Sequence, residues 1–393
     1  MTQSTGATGP LAGIKIVDMS SVLMGPYATQ ILGDYGAEII KIEDAKGDLL
    51  RLAGAMKRPK MGSVFLSCNR NKRSVVLDAK SKDGYAAIMK LCEDADIFVT
   101  NVRSNALKRL NMAYEDIKAH KKDIIYVSLV GYGQNGPYRD RPAFDDLMQG
   151  ISGIPALSRL ATGGKPQYAP INLADKVCGI SAAHAILAAL VHKLRTGQGQ
   201  AVEVPMFEVL TQFVLSDHLG GHSFEPPIGP IGYNRLLSPD RRPYQTSDGF
   251  LCILVYTDDH WKRFFDLIGR PDEFKSNPKF HDHATRTRSY DEVYQWLSAE
   301  VMKRTTAQWI EGLEKSDIPY SRMNTPEDLM KDPHITAVGL IQEIDHPIDG
   351  KMRMLAPPII FSETPASITR LPPSLGEHTE EVLREIGFGA ARA

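Results

Sequence analysis

The most constraining feature of this sequence is the alternation of short β-rich runs with helical patterns through its first third. Strand–helix–strand repeats imply right-handed crossovers, and therefore a largely parallel sheet covered by helices. The sequence thus predicts an α/β fold. Runs rich in valine and isoleucine predict strands at Gly13–Met19, Ala37–Glu43, Ser74–Leu77, Asp96–Asn101 and Asp123–Val130, with helices at Tyr27–Tyr35 and Asp83–Ala95.

Further elements follow in the second half of the chain. Lys176–Arg195 is the clearest helix, because apolar residues recur on one broad face and Gly197 supplies a stop. These apolar residues are Val177, Ile180, Leu187, Val191 and Leu194. A strand at Ala201–Val204 and a helix at Met206–Leu219 come next, and short strands are predicted at Met352–Met354 and Ile359–Phe361.

A change of composition predicts the domain organisation. Glycine and proline crowd residues 220–243, which is typical of a linker. Residues 244–333 combine a strand with amphipathic helices and predict a smaller α+β domain. Residues 1–219 would form the first part of a large domain, and residues 334–393 a return linker and its C-terminal part.

Charge and cysteine usage exclude several classes of protein. The chain carries 46 basic and 47 acidic residues, so its net charge of −1 argues against a nucleic-acid partner. The longest near-apolar run, Val177–Val191, is too short to span a bilayer, and the first ten residues lack the pattern of a signal peptide. The four cysteines are widely spaced, which predicts reduced thiols rather than a disulfide frame or a metal site. We therefore expect a cytoplasmic protein without a membrane partner.

A glycine-rich motif follows the last predicted strand of the first half. Gly131, Gly133 and Gly136 spell GxGxxG, the pattern of dinucleotide-binding loops. Such a loop must open a helix whose N-terminus holds the pyrophosphate, whereas here the irregular stretch PYRDRP follows. The context favours a glycine-rich loop of another kind.

Two arginines follow the strand that ends at Asn101. Arg103 and Arg109 are placed to grip phosphates, because parallel sheets bind anions at the carboxyl ends of their strands. A solvated surface face explains the same residues equally well. The basic residues Lys72, Arg73 and Lys80 near another strand allow the same two interpretations.

Carboxylates precede two predicted helices. Asp175 stands immediately before the long apolar helix, which predicts a helix N-cap, although a desolvated aspartate can also act as a nucleophile. Asp145 and Asp146 follow Phe144, and they could supply a second carboxylate or simply favour a helix dipole. The residues alone leave these alternatives open.

Seven segments in order resemble the class III CoA-transferase family, also called the CaiB/BaiF or formyl-CoA transferase family. They are GIKIVDMSSVLMGPYATQILGDYGAEIIKIE, NRNKRSVVLD, TNVRSNALKRL, GYGQNGPYRDRPAFDDLMQGISG, INLADKVCG, HKLRTGQGQAVEVPMFE and LGEHTEEVLREIGF. The resemblance covers nearly the whole chain. It implies an interlocked homodimer, each chain having a Rossmann-like large domain and a small domain.

The resemblance also assigns roles to residues. Asp175 matches the nucleophilic aspartate, and Asp145 matches the acidic position beside it. Arg103 and Arg109 match the arginines that hold the phosphates of coenzyme A. The residues at the adenine and ribose end would be Leu77, Lys80 and Asn101.

The implied reaction moves coenzyme A from an acyl-CoA to a free carboxylic acid through an aspartyl anhydride and an aspartyl-CoA thioester. Acyl-CoA is then a substrate, and no metal or permanently bound cofactor is needed.

Departures from the family pattern bear on the substrate. Oxalate-using members have a glutamine where this chain has Leu23, followed by Met24, and their run of glycines has no counterpart in LCILVYTDDHW. Both departures favour a larger acid with an apolar body, succinate-like or branched, over oxalate. The related α-methylacyl-CoA racemases place a histidine where this chain has Phe144, so a racemase would lack one of its bases. A non-catalytic acyl-CoA-binding protein is a further alternative, which would need no carboxylate at Asp175.

Overall fold

The computed structural model describes residues 8–388, which form two compact units. The first unit comprises the chain up to Ser152, Ala169–Gln212 and the chain from Pro333 onward. The second comprises Gly153–Tyr168 and Phe213–Asp332. Residues 220–243 therefore belong to the second unit. The domain boundaries predicted from composition stay predictions, and the first residues of the polar leader lie outside the described part of the chain.

The first unit is built on six parallel strands in the spatial order β3-β2-β1-β4-β5-β6. The strands are β1 (Lys15–Met19), β2 (Glu38–Glu43), β3 (Lys72–Val76), β4 (Ile97–Thr100), β5 (Ile125–Val130) and β6 (Ala201–Pro205). This confirms the predicted α/β fold with a parallel sheet, and the order is Rossmann-like. The order reverses between β1 and β4, which pair from Ile16 with Ile97 to Met19 with Thr100. Their carboxyl ends therefore border a crevice.

Helices cover the sheet and build the second unit. In chain order they are α1 (Met24–Asp34), α2 (Ser63–Leu66), α3 (Lys82–Asp94), α4 (Ser104–Arg109), α5 (Tyr114–His120), α6 (Asp145–Ile151), α7 (Ile154–Thr162), α8 (Leu173–Thr196), α9 (Met206–His218), α10 (Asn234–Leu237), α11 (Asp258–Leu267), α12 (Pro271–Ser276), α13 (His283–Arg288), α14 (Tyr290–Val301), α15 (Thr306–Lys315), α16 (Pro326–Leu329), α17 (Pro333–Ala337) and α18 (Thr379–Glu385). Short 3₁₀ turns lie at Leu49–Leu52, Gly220–Ser223 and Pro278–Phe280.

The core of the first unit forms where helix α3 meets the sheet. Ile88, Leu91 and Cys92 recur at helical spacing on α3 and are buried against Phe98 of β4. Ser81 caps this helix by accepting a hydrogen bond from the backbone N–H of Gly84 at 3.0 Å. The core therefore fixes the strands whose carboxyl ends border the crevice.

The second unit has its own core under a three-stranded antiparallel sheet. The sheet consists of β7 (Tyr244–Gln245), β8 (Phe250–Ile253) and β9 (Tyr320–Arg322). Trp261, Phe264 and Trp309 are fully buried beneath it, with Phe264 stacked on Trp309 at 5.6 Å between ring centroids. The aromatic residues of helices α11 and α15 therefore supply this core.

One predicted strand is wrong and one hairpin was missed. Ile359–Phe361 is irregular, because Pro357 and Pro358 precede it without backbone donors and Ile360 is 90% exposed. The hairpin β10 (Ile341–His346) and β11 (Gly350–Leu355) extends the predicted strand at Met352–Met354. Charged residues interrupt the apolar pattern of β10, IQEIDH, which hid it from periodicity arguments.

Helix α8 is apolar on more than one face. By length and composition alone it could cross a membrane, a test that core helices of globular proteins also pass. Ala182, Ile186 and Leu190 are buried on it. In contrast, Ile180, Val191 and Leu194 are 52%, 53% and 70% exposed, so part of the predicted apolar face is uncovered in a single chain.

Candidate active site

A cavity of about 580 Å³ lies at the carboxyl ends of β1, β4 and β5. Its walls are the turn after β1 (Ser21–Met24), the segment after β4 (Asn101–Ala106), and residues of the glycine-rich loop after β5. Asp175 and Met206 complete the lining. The position is the switch point of the sheet, where open α/β folds bind ligands.

Most of the predicted site residues meet at this cavity. Those that line it are Leu23, Met24, Asn101, Arg103, Arg109, Phe144 and Asp175. Asp145 lies behind Asp175 and contacts it. Leu77 is instead buried in the hydrophobic core, and Lys80 is exposed, so neither lines the cavity. Their predicted contacts with coenzyme A stay predictions.

The basic residues of β3 serve the interior of the first unit. Lys72 is fully buried, and its Nζ lies 3.2 Å from Oδ2 of Asp18. The guanidinium of Arg73 bonds Glu385 at 2.8 Å and Glu381 at 3.0 Å. Lys72 therefore forms neither an anion site nor a solvated face. Arg73 is itself buried but pairs with two half-exposed carboxylates of α18, and Lys80 is exposed as a solvated face predicts.

Asn101 joins the two loops of the crevice. Its Nδ2 donates a hydrogen bond to the carbonyl of Ser21 at 2.7 Å, and its Oδ1 accepts one from the N–H of Ser21 at 3.0 Å. The Asn101 side-chain amide therefore both donates to and accepts from the backbone of Ser21. This side chain fixes the turn after β1 against the end of β4.

Asp175 lies in the first turn of α8 and is not the helix N-cap. The helix begins at Leu173 with Asn172 at the capping position, so the predicted capping role is wrong by three residues. Its backbone N–H donates to Oδ1 of Asp145 at 3.0 Å. Burial and, secondarily, the nearby charge of Asp145 raise the pKa of Asp175 to about 7. Among residues 8–388, no group donates a hydrogen bond to the Asp175 carboxylate, which is therefore free to react.

Gln149 holds Asp145 in place, and the sequence offered no recognised signal for it. Its Nε2 donates to Oδ2 of Asp145 at 2.6 Å, and its Oε1 accepts from the N–H of Ala169 at 2.9 Å. The residue is 1% exposed and stands one helical turn after Asp145 on α6. The i, i+4 spacing of Asp145 and Gln149 is the sequence feature that could have indicated this contact.

Cys178 stands beside the carboxylate pair but is unsuited to compete with it. Its side chain is buried, and desolvation together with the charges of Asp175 and Asp145 raises the pKa of the thiol to about 12. Because the thiolate is the reactive form, this cysteine stays inert at neutral pH. Cys178 is therefore not a candidate nucleophile at neutral pH.

Arg103 and Arg109 flank helix α4 at the mouth of the cavity. Arg103 precedes its first residue, and Arg109 is its last. Both are exposed, and neither guanidinium is paired with a carboxylate among the described residues. Unpaired guanidinium groups at a cavity suit a ligand that carries phosphate or carboxylate groups.

The glycine-rich loop after β5 packs closely and does not open a helix. A Cβ at Gly131 would lie 2.2 Å from Cβ of Ala143, so only glycine fits there. The N–H of Gly133 donates to Glu208 and that of Gln134 to Glu203, and the next helix begins only at Asp145. The loop therefore lacks the geometry of a dinucleotide fingerprint.

This loop also brings two further arginines to the cavity, which were not predicted as site residues. Arg139 and Arg141 line the cavity, and the guanidinium of Arg141 lies 3.8 Å from the centre of the Tyr138 ring. The stretch PYRDRP was their only sequence signal. The mouth of the cavity is thus more basic than predicted.

The pKa of Asp175 predicts a pH-dependent change in stability. A folded-state pKa of about 7, raised from 3.8, means that the folded protein loses stability as pH rises from the lower to the higher value. Asp175→Asn cannot ionise. The free energy of unfolding of Asp175→Asn minus that of the wild type should therefore be larger at about pH 8 than at about pH 5, by roughly 1–3 kcal/mol. Urea titrations at both pH values measure it.

Asp146→Asn is the matched control, because Asp146 is an exposed carboxylate next to Asp145. A stability difference for Asp175→Asn that is the same at both pH values would contradict the raised pKa.

Comparison with known proteins identifies similar chains. The sequence matches the profile of CoA-transferase family III over residues 11–379. It is 31% identical over 397 residues to the succinate–glutarate CoA-transferase of Agrobacterium fabrum, which covers 98% of both chains. It is also 31% identical to the human succinyl-CoA:glutarate CoA-transferase, over 96% of this chain and 86% of that protein.

Solved structures agree with these matches. The crystal structure of an aspartate-to-alanine mutant of Rv3272 from Mycobacterium tuberculosis has a TM-score of 0.84 and 27% identity, covering 98% of this chain and 100% of that one. A CaiB/BaiF family protein from Brucella suis has a TM-score of 0.78 and 28% identity, covering 96% and 100% of the two chains.

Proposed function

This chain belongs to CoA-transferase family III, and we propose that it moves coenzyme A from an acyl-CoA thioester to a free carboxylic acid through covalent intermediates on Asp175. One observation carries the proposal: a partly buried carboxylate faces a cavity that two exposed arginines also line, and none of the three has a hydrogen-bond donor or ion-pair partner among residues 8–388. The carboxylate supplies a nucleophile, and the guanidinium groups suit the phosphates of coenzyme A.

The proposed reaction proceeds by four acyl transfers at the Asp175 carboxylate. An oxygen of Asp175 attacks the thioester carbonyl and the C–S bond breaks. Coenzyme A leaves as thiolate, and the acyl group stays on Asp175 as a mixed anhydride. The thiolate attacks the aspartyl carbonyl, which releases the donor acid and leaves an aspartyl-CoA thioester. The acceptor carboxylate then attacks that thioester, its C–S bond breaks to release the coenzyme A thiolate, and a second anhydride forms. The thiolate then attacks the carbonyl of the acceptor acid in this anhydride, which gives the new acyl-CoA and restores the Asp175 carboxylate.

Asp145 would orient the nucleophile rather than react. It accepts the N–H of Asp175, and Gln149 fixes it from behind. Partial burial also limits the access of water, which would hydrolyse an anhydride. Phe144 lines the cavity where a racemase needs a proton-transfer group, so the geometry supports transfer rather than racemisation.

Coenzyme A would be held as a substrate at the mouth of the cavity. We assign its phosphates to Arg103 and Arg109. The resemblance places its adenine and ribose end at Asn101, Leu77 and Lys80, of which Asn101 lines the cavity. The proposed steps use no metal and no permanently bound cofactor. Among residues 8–388, no three His, Cys, Asp or Glu side chains are grouped to hold a metal ion.

The acyl group would lie against Leu23, Met24 and Phe144. Leu23 and Met24 are 3% and 4% exposed, and Phe144 is 58% exposed. An apolar wall disfavours an acid as short and polar as oxalate, because a carboxylate without a partner is costly to desolvate. The relatives named for succinate and glutarate support an acid with an apolar body. A screen of acyl-CoA donors against free acids, followed by mass spectrometry, tests the proposed function.

Leu23→Gln is expected to shift this acid preference. A polar amide at the apolar wall should lower kcat/KM for the best four- to six-carbon acid on the order of tenfold and improve oxalate relative to it. Leu23→Met conserves volume and polarity, so it should keep the wild-type ranking. The measurement is kcat/KM for each acid in the three proteins. A wild type that uses oxalate as well as any longer acid would refute this assignment of the pocket.

We further propose that the protein is a homodimer, interlocked as the family resemblance implies. The support is the uncovered stripe on α8, where Ile180, Val191 and Leu194 are exposed and the half-buried Leu187 stands seven residues from both Ile180 and Leu194, as in helices that pack on a partner. Exposed apolar side chains at Phe224, Ile228 and Ile231 lie in the predicted linker. A second copy of the chain would cover such surfaces.

The dimer should persist at nanomolar concentration. Interlocked chains bury far more than the standard interface of about 1,600 Å², so dilution should not separate them. Sedimentation velocity measures this directly, and glutamate at both Val191 and Leu194 should weaken the assembly. An active monomer at nanomolar concentration would contradict the proposal.

The thiols support the proposed cytoplasmic location. All four cysteines are free, and burial raises the pKa of Cys68 and Cys92 to about 12. Unpaired cysteines are typical of a reducing compartment.

A further inference from the structure

A strained residue stands in the wall of the cavity. Val22 has a φ of +67°, in the left-handed region that β-branched residues rarely adopt. It lies in the turn after β1 and lines the cavity beside Leu23. Strain of this kind persists only where the surroundings enforce it.

Asp48 enforces the conformation of Val22. Its Oδ1 accepts the N–H of Val22 at 3.1 Å and that of Leu50 at 3.0 Å. The hydrogen bond from Leu50 fixes the 3₁₀ turn at Leu49–Leu52, and Leu49 of this turn also lines the cavity. One carboxylate thus anchors two separate parts of the cavity wall.

Lys41 holds Asp48 and the turn together. Its Nζ donates to Oδ2 of Asp48 at 3.0 Å and to the carbonyl of Ser20 at 2.8 Å. Both side chains of the ion pair are fully buried. Because desolvation offsets the attraction, such a pair contributes little net stability compared with apolar residues of the same volume. The pair therefore matters for the positions of the groups that it holds rather than for net stability.

We infer that the buried Lys41–Asp48 pair is a positioning device, which holds Val22 in its strained conformation and so sets the wall at Leu23 against Asp175. This deepens the proposed function and rests on it. Neither residue lines the cavity, so both act through the turn that they hold.

Two double variants of equal charge separate this role from general stability. In Lys41→Met/Asp48→Asn, the Asn oxygen can still accept the N–H groups of Val22 and Leu50. In Lys41→Met/Asp48→Leu, a side chain of similar size offers no acceptor. Asp18 keeps Lys72 as its partner in both.

The Asn variant should lose less than about fivefold in kcat, and the Leu variant about 100-fold, because a small displacement near the reacting atoms has such an effect. The KM for acyl-CoA should change much less, since the arginines that bind it lie elsewhere. Thermal unfolding checks that both proteins are folded. Equal kcat in the two folded variants would overturn the inference.

Two substitutions of Val22 test the same point without touching the buried pair. Glycine adopts φ +67° without strain, whereas proline is locked near −65° and lacks the N–H. Val22→Pro should therefore lose at least about tenfold more kcat than Val22→Gly. Proline no worse than glycine would overturn the inference, even if the Leu variant fails to fold.

Amide hydrogen exchange makes the result independent of activity. The N–H of Val22 should be protected in the wild type and in the Asn variant. It should exchange faster in the Leu variant or, if that variant does not fold, in Lys41→Met/Asp48→Ala, which also lacks the acceptor. Uniform exchange across these proteins would overturn the positioning role. A wild type inactive with every acyl-CoA and acid would instead contradict the proposed function, while the exchange result would still decide this inference.

Discussion

Asp175→Asn is expected to lower the turnover of CoA transfer by at least about a thousandfold while the protein stays folded and binds acyl-CoA. An amide cannot replace the carboxylate as nucleophile. The substitution should leave the fold in place, because Asn172 and not Asp175 stands at the capping position, and the backbone bond from residue 175 to Asp145 persists. Steady-state kinetics and an acyl-CoA binding titration measure the two effects.

Asp146→Asn again provides the matched control and should retain turnover, because this carboxylate lies outside the cavity lining. If Asp175→Asn kept near-native turnover, with deamidation back to aspartate excluded by mass, the proposed mechanism would be wrong.

Removing the two arginines at the ends of helix α4, Arg103 and Arg109, should have the second largest effect. Each charge-assisted contact with a phosphate contributes about 1.5–3 kcal/mol, so Arg103→Ala/Arg109→Ala should raise the KM for acyl-CoA on the order of 100-fold or more. The value of kcat should fall less, because neither residue touches the reacting carbonyl in the proposed complex. Initial rates at saturating acceptor acid measure both constants.

Arg384→Ala is the matched control, since Arg384 is exposed on α18 and does not line the cavity. A substrate that lacks the 3′-phosphate shows whether either arginine binds that group. If one does, its single alanine variant should raise the KM for this substrate by a smaller factor than the KM for the complete acyl-CoA. An unchanged KM in the double variant would remove these arginines from the phosphate site.

Local patterns were sufficient to predict the sheet and the end of it at which the cavity lies. Alternating apolar runs located all six strands of the parallel sheet, and residues that follow strand ends converge in such a fold. This brought Asn101, Arg103 and Arg109 to one cavity. The error at the start of α8 has a local cause: Leu173 stands four residues before Val177 and continues its apolar face, so the helix begins three residues earlier than predicted.

Non-local contacts account for what the sequence did not reveal. Asp48 meets Val22 across 26 positions, and no propensity predicts a left-handed valine. The contact of Gln149 with Ala169 spans 20 positions. Lys72 appeared to be an available cation, because its burial against Asp18 depends on strands that pair only in the folded sheet.

Mapping the covalent intermediate tests the central claim most directly. Wild-type protein is incubated with an acyl-CoA and no acceptor acid, and its peptides are analysed by mass spectrometry. We predict a coenzyme A adduct on the peptide that contains Asn172 to Lys176, discharged by hydroxylamine and missing in Asp175→Asn. A protein that turns over acyl-CoA with an acceptor but never carries coenzyme A on Asp175 would contradict the account.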